Sequence, residues 1–158
     1  MANTQSMCTS FMGELMTATH NFGVAPIRAA TTADTFKAAL YLTSATINAG
    51  TTAYSATGEV TGTNYTAGGV AVTNATAPIA TNRSDTAGVA YWTPSASITY
   101  TTVTLSTAFD CVLIYNSTQS NKAVSVHTFG SQTITAGTFT LTMPSNSTTT
   151  ALLRLSTT

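Results

Sequence analysis

"TFKAALYLTSA", residues 35 to 45, sets Phe36, Ala38, Leu40 and Leu42 on one side of an extended chain and Lys37, Ala39, Tyr41 and Thr43 on the other. That two-residue period predicts a strand with one face in a core. The runs "VTLST", "CVLIYN", "AVSVHTF" and "GTFTLTMP" behave the same way, and in the last Phe139, Leu141 and Met143 oppose Thr138, Thr140 and Thr142. Between Ile98 and Leu105 the apolar parity switches, which predicts one extra residue, a bulge, near Thr101 or Thr102. "FDCVLIY" is apolar on both faces and reads as a central strand. Short strands at regular spacing predict a mainly β chain: a single antiparallel β-sandwich or barrel-like domain with one short N-terminal helix.

The helix is expected where Met7, Phe11, Leu15 and Met16 share one side, with Ser6 as its cap and "HNFG", residues 20 to 23, as its stop. Two readings fit this stripe: a face packed on the protein's own sheet, or a partner-docking surface made of Met7, Phe11, Leu15 and Met16. The expected division is a helical arm, 1–25, and a β domain, 26–158. Within the β domain lie the C-terminal run "ALLRL", which reads as a last strand open to pairing with a neighbouring subunit, and "TTAYSATGEVTGTNYTAGGVAVTN", residues 51 to 74. It reads as a strand at "ATGEV", a glycine-punctuated connection in which Gly68 and Gly69 supply positive φ, and a second strand at "VAV".

Charge is scarce. The 158 residues hold five Lys+Arg and five Asp+Glu, a charged fraction of 6% against about 25% in ordinary soluble domains. Zero net charge leaves little repulsion between like molecules, so the composition predicts self-association. It also argues against a nucleic-acid partner, because nothing basic is gathered to hold phosphates. No window is apolar enough to cross a bilayer, and the amino end lacks the basic and apolar regions of a secretion signal, so synthesis in a cytoplasm and no membrane partner are expected. Cys8 and Cys111 read as buried thiols. Asn-x-Ser/Thr triplets at Asn64, Asn74, Asn82, Asn116 and Asn146 are what a Thr-rich chain produces by chance.

Catalytic and binding chemistry finds little support. Serines, His127 and Asp110 supply the residue types of a hydrolytic triad without a Gly-x-Ser-x-Gly elbow. Cys8, His20, Cys111 and His127 lack the paired spacing that nucleates a zinc site, and Gly68-Gly69 lacks the Lys-Ser/Thr of a phosphate loop. No catalytic, metal or cofactor residues are therefore expected. Trp92, Tyr91, Tyr100 and Tyr115 could form a stacking platform for sugars if exposed, whereas a core indole is the alternative for Trp92. Glu59 and Arg83 are read as paired with each other, paired across a subunit contact, or simply solvated.

The motifs Tyr-x-x-x-Gly-Glu-Val (Tyr54 to Val60) and Gly-x-x-Tyr-Thr-x-Gly-Gly (Gly62 to Gly69) combine with "FKAALYLTSATIN", residues 36 to 48, and with "GVAYWTPSASITYTTVTLSTAFDCVLIYN", residues 88 to 116. Over about residues 33 to 143 the chain thereby resembles a family of small tailed-bacteriophage virion structural proteins. The N-terminal helix and "APIRAATTAD" depart from the shared core. The resemblance implies a non-enzymatic building block without cofactors, found in the virion. The first expectation is a capsid decoration (cement) protein on the major capsid protein lattice, forming homo-oligomers, dimers or trimers. A tail- or neck-associated component is the alternative, and a glycan-binding adhesion module the second.

Overall fold

A computed structural model describes residues 3–16, 19–20, 22, 33–73, 78–81 and 88–156, without the side chains of Thr9, Met12 and Met16. The chain is mainly β, with two antiparallel sheets. Its elements are β1 (Ser6–Met7), α1 (Thr9–Met16), β2 (Phe36–Leu42), β3 (Val70–Ala71), β4 (Ile79–Ala80), β5 (Val89–Trp92), β6 (Ile98–Asn116), β7 (Lys122–Leu141) and β8 (Leu153–Ser156). The larger sheet runs β1-β7-β6-β2-β3 and the smaller β4-β5-β8.

β6 and β7 are far longer than the sequence suggests. "VTLST" and "CVLIYN" lie on one 19-residue strand, and "AVSVHTF" with most of "GTFTLTMP" on one of 20 residues. The intervals between these runs, residues 108–110 and 130–136, are taken into the strands, with ladder irregularities between Leu105 and Cys111. The expected bulge is present: the register shifts between Tyr100 and Val103, and Thr102 takes φ 52°. At the hairpin tip Ser120 and Asn121 also adopt positive φ.

This ribbon doubles back on itself. Ile114 pairs with Ala38, and Tyr100 precedes Ile114 by fourteen positions, about 46 Å of straight strand. Yet the Tyr100 hydroxyl donates to the Ala38 carbonyl at 2.8 Å. Phe109, Phe129 and Phe139 fill the bend, with Phe109 edge-on to Phe139 at 5.1 Å. β2 is consequently buried on both faces, so Ala39 and Tyr41 are as inaccessible as Phe36 and Leu40, against the half-buried strand expected there.

Over its described residues, 51–73, the 51–74 segment is mostly a covering loop. Glu59 makes only an isolated bridge to Tyr41, and the sole strand here is the two-residue β3, because the segment spends its backbone groups on neighbours: Val60 N–H on Leu40 O, Leu42 N–H on Gly58 O, and Thr63 reciprocally with Thr104. Gly68 and Gly69 have φ +87° and +71°, and a Cβ on Gly69 would stand 1.6 Å from the Ala38 carbonyl oxygen. Only glycine permits that approach.

Glu59 anchors the loop. It is 7% exposed, and its carboxylate accepts from Tyr54 OH at 2.6 Å, Tyr65 OH at 2.7 Å and Gly68 N–H at 2.8 Å. Tyr65 also accepts from Leu40 N–H and stacks on Tyr100, while Tyr54 stacks on Tyr115, whose hydroxyl donates to Gly68 O. Burial and the neighbouring carboxylate push the Tyr54 and Tyr65 hydroxyls far above their ordinary ionisation range, so both stay donors.

The amino-terminal residues are integrated with the sheets. β1 pairs with β7, Phe11 is buried, and Phe22 stacks on Phe36 at 4.5 Å. The helix starts at Thr9, not after Ser6, so Met7 sits on β1 and Ser6 is no cap. α1 ends at Met16, before "HNFG", with Thr19 N–H closing on Glu14 O. "ALLRL" supplies β8 as expected, beginning at Leu153.

Replacing Glu59 by Ala would strand two buried hydroxyls and an N–H, at a cost of about 3 kcal/mol. Thermal unfolding should fall by roughly 6–12 °C. Glu59→Gln, which keeps one acceptor and the shape, should lose clearly less. Equal midpoints for wild type and Glu59→Ala would show that the cluster does not hold the loop.

Candidate functional site

The residues expected for hydrolysis are not assembled. Asp110 accepts a hydrogen bond from Asn3 at 2.6 Å, while His127 meets Ser125 at 2.9 Å two positions away on β7. Burial lowers the His127 pKa to about 4, making it a weak base, and Ser125 is 1% exposed. Among the described residues no three His, Cys, Asp or Glu side chains gather as metal ligands. Cys8 and Cys111 are buried free thiols, pushed by burial to about 11 and about 12.

His20 has a structural assignment. Its Nε2 lies 2.7 Å from Glu14 and its Nδ1 3.0 Å from the Asn116 amide nitrogen, which also donates to Asp34 at 2.8 Å. A neutral ring protonated on Nε2 satisfies both contacts. Asn116 Oδ1 accepts from the N–H groups of Thr118 and Gln119, and Lys122 reaches Glu14 at 2.6 Å. The network ties the end of α1 to the β6–β7 turn. Burial lowers the His20 pKa despite Glu14 and Asp34. Burial opposes ionisation of Glu14, but Lys122 and His20 outweigh it and hold its pKa below the usual value.

The aromatic platform is not exposed. Trp92 is 2% accessible and packs against Phe22 and Phe36; Tyr100 and Tyr115 are buried, and Tyr91 is half-buried. Glu59, read as ion-paired or solvated, is instead buried and held by tyrosines; Arg83 lies outside the described residues, as do Asn74, Asn82 and most of "APIRAATTAD".

What the structure does build is an apolar groove. Met7, Phe11 and Leu15 from β1 and α1 line it together with Ala90, Trp92 and Leu155 from β5 and β8, around a space of about 90 Å³. Of the four expected docking residues, three thus line one feature, and the side chain of Met16 is outside the described set. Phe11 is a correction: at 2% exposure, edge-on to His20 at 4.8 Å and to Phe22 at 5.9 Å, it belongs to the core and can only floor the groove. Met7 and Leu15 are half-buried rim residues. Sequence reasoning placed Leu155 on an apolar terminal strand open to pairing but did not bring it to the helix stripe; Leu155 is 43% exposed, and Ile79, outside the groove, 44%. Comparison with protein-family models, curated proteins and solved structures finds no match.

Phe11→Ala should lower the unfolding free energy by about 3 kcal/mol or more, measured by guanidinium denaturation. A change under about 1 kcal/mol would return Phe11 to the surface.

Both histidines have folded-state pKa values below 6.5, so the unfolded chain binds more protons as the pH falls below that value. Stability should therefore be full above pH 6.5 and decline toward pH 4, where His127 charges in the folded state. The urea midpoint should drop between pH 7.5 and 4.5, and His127→Asn should flatten the decline. A midpoint constant across that range would contradict the buried neutral state of both rings.

Proposed function

We propose that this chain is a non-enzymatic structural protein of a tailed-phage particle: a decoration (cement) protein that binds the outer surface of the major capsid protein lattice and stabilises the head. The doubled-back ribbon and the smaller sheet are taken together as a sandwich-like domain bearing an N-terminal arm. The observation that carries the proposal is the apolar groove beside the open-edged β4-β5-β8 sheet, on a chain with almost no charge. Such a surface favours close packing against another protein, with small desolvation cost and little electrostatic selectivity. The resemblance over residues 33 to 143 supplies the particle.

Reinforcement would be additive. Each copy bridges neighbouring capsid subunits, and many modest contacts act together through high effective concentration. Self-association into dimers or trimers matches local symmetry axes of a shell. Burial of Trp92, Tyr100 and Tyr115 leaves half-buried Tyr91 alone among the aromatics of the glycan-binding alternative, which supports the structural reading over it.

Quantifying the chain against the major capsid protein in purified particles tests this reading. The expected ratio is one copy, or a simple fraction of one, per capsid subunit. A few tens of copies per particle would assign it to the tail or neck, and absence from particles would end the virion reading.

A further inference from the structure

β1 closes one edge of the larger sheet and β8 one edge of the smaller, and the two are not paired with each other. Both line a single cleft of about 460 Å³, with Met7 from β1, Val126 and His127 from β7, and Leu153 and Arg154 from β8 among its lining residues.

The backbone directions on both edges follow from the ladders. Cys8 N–H donates to Val124 O, and Ser6 pairs with Val126, so the N–H and C=O of the intervening Met7 point away from β7. Thr81 N–H donates to Val89 O, so Val89 and Tyr91 turn toward β4, and Ala90 and Trp92 toward β8. Their partners Leu155 and Leu153 face β5, leaving the backbone groups of Arg154 and Ser156 pointing outward. The side chains alternate the other way: Leu153 and Leu155 line the apolar groove, while Arg154, between them in sequence, lies on the opposite face of β8.

Arg154 is exposed, with one 3.3 Å bond to Thr148 O, and no carboxylate lines the cleft among the described residues. The chain has little acid to offer a second copy of itself. Glu14, Asp34, Glu59 and Asp110 are all bound internally, and the fifth acidic residue, Asp85, lies outside the described residues.

The geometry points to a strand-acceptor site: the β1–β8 cleft takes an extended segment of a different protein, in which apolar side chains entering the groove alternate with carboxylates facing Arg154. The segment's backbone completes the bonds of Met7 on one side and of Arg154 and Ser156 on the other, joining the two sheets. The inference rests on the interaction-protein reading and not on the particle; copy number tests the latter and peptide binding the former, so each can fail alone.

The test uses the full chain and a peptide labelled at its amino end, fluorescein-Gly-Thr-Val-Glu-Val-Glu-Val-Thr-amide, with the same peptide carrying Lys for Glu as its counterpart. Anisotropy should show at least tenfold tighter binding of the acidic peptide, and Arg154→Glu, an exposed substitution, should reverse the preference. Hydrogen exchange should slow at the amides of Met7, Arg154 and Ser156. Absence of binding, equal binding of both peptides, or protection elsewhere would overturn the proposal. A dimer in analytical ultracentrifugation that protects the same amides without peptide would also overturn it, by assigning the cleft to a second copy.

Discussion

A buried carboxylate without partners costs several kcal/mol, and Glu59 is buried under a loop with little regular structure of its own. The two tyrosine hydroxyls and one N–H that satisfy it are what make the covering loop possible. Those tyrosines extend the linkage. Tyr65 reaches β2 through Leu40 N–H and the first half of β6 through Tyr100, whereas Tyr54 reaches the second half of β6 through Tyr115. The cluster therefore joins the loop, β2 and both arms of the bend. Non-local ribbon pairing is entropically expensive, and the bend is sustained because polar groups and aromatic area are satisfied at the same place.

The same economy governs the rest of the molecule. Four of the five acidic side chains are consumed in internal contacts, two of them in the network that holds α1 to the β6–β7 turn. Among the described residues, the exposed surface is rich in hydroxyls and carries few charges. Arg154, standing beside an open edge, is therefore conspicuous. Among the described residues, β1 and β8 each stand at a sheet edge with no further strand beside them.

Some features were legible in the residues themselves because they depend on local chemistry. The two-residue period over 36–42, the parity switch that sets the bulge at Thr102 and the positive φ of Gly68 and Gly69 are consequences of side-chain alternation and backbone sterics within a few positions. So was the apolar stripe through Met7, Phe11 and Leu15, although its helical register was misplaced because β1 takes Met7 for the ladder with β7. The separations expected between "VTLST" and "CVLIYN" and between "AVSVHTF" and "GTFTLTMP" did not occur, since a ladder partner can stabilise residues that end an isolated strand.

By itself the sequence determined the β class, the glycine turns, the bulge, the buried thiols and the near-absence of charge, all of which are set by composition and short-range pattern. Only the tertiary structure decided that β6 folds back to bring Tyr100 to Ala38, that Glu59 is caged by tyrosines and His20 meets Asn116, and that β1 and β8 line one cleft. The reason is physical: these contacts join residues distant in sequence, and their energy exists only once the burial that makes an unsatisfied polar group costly has been formed.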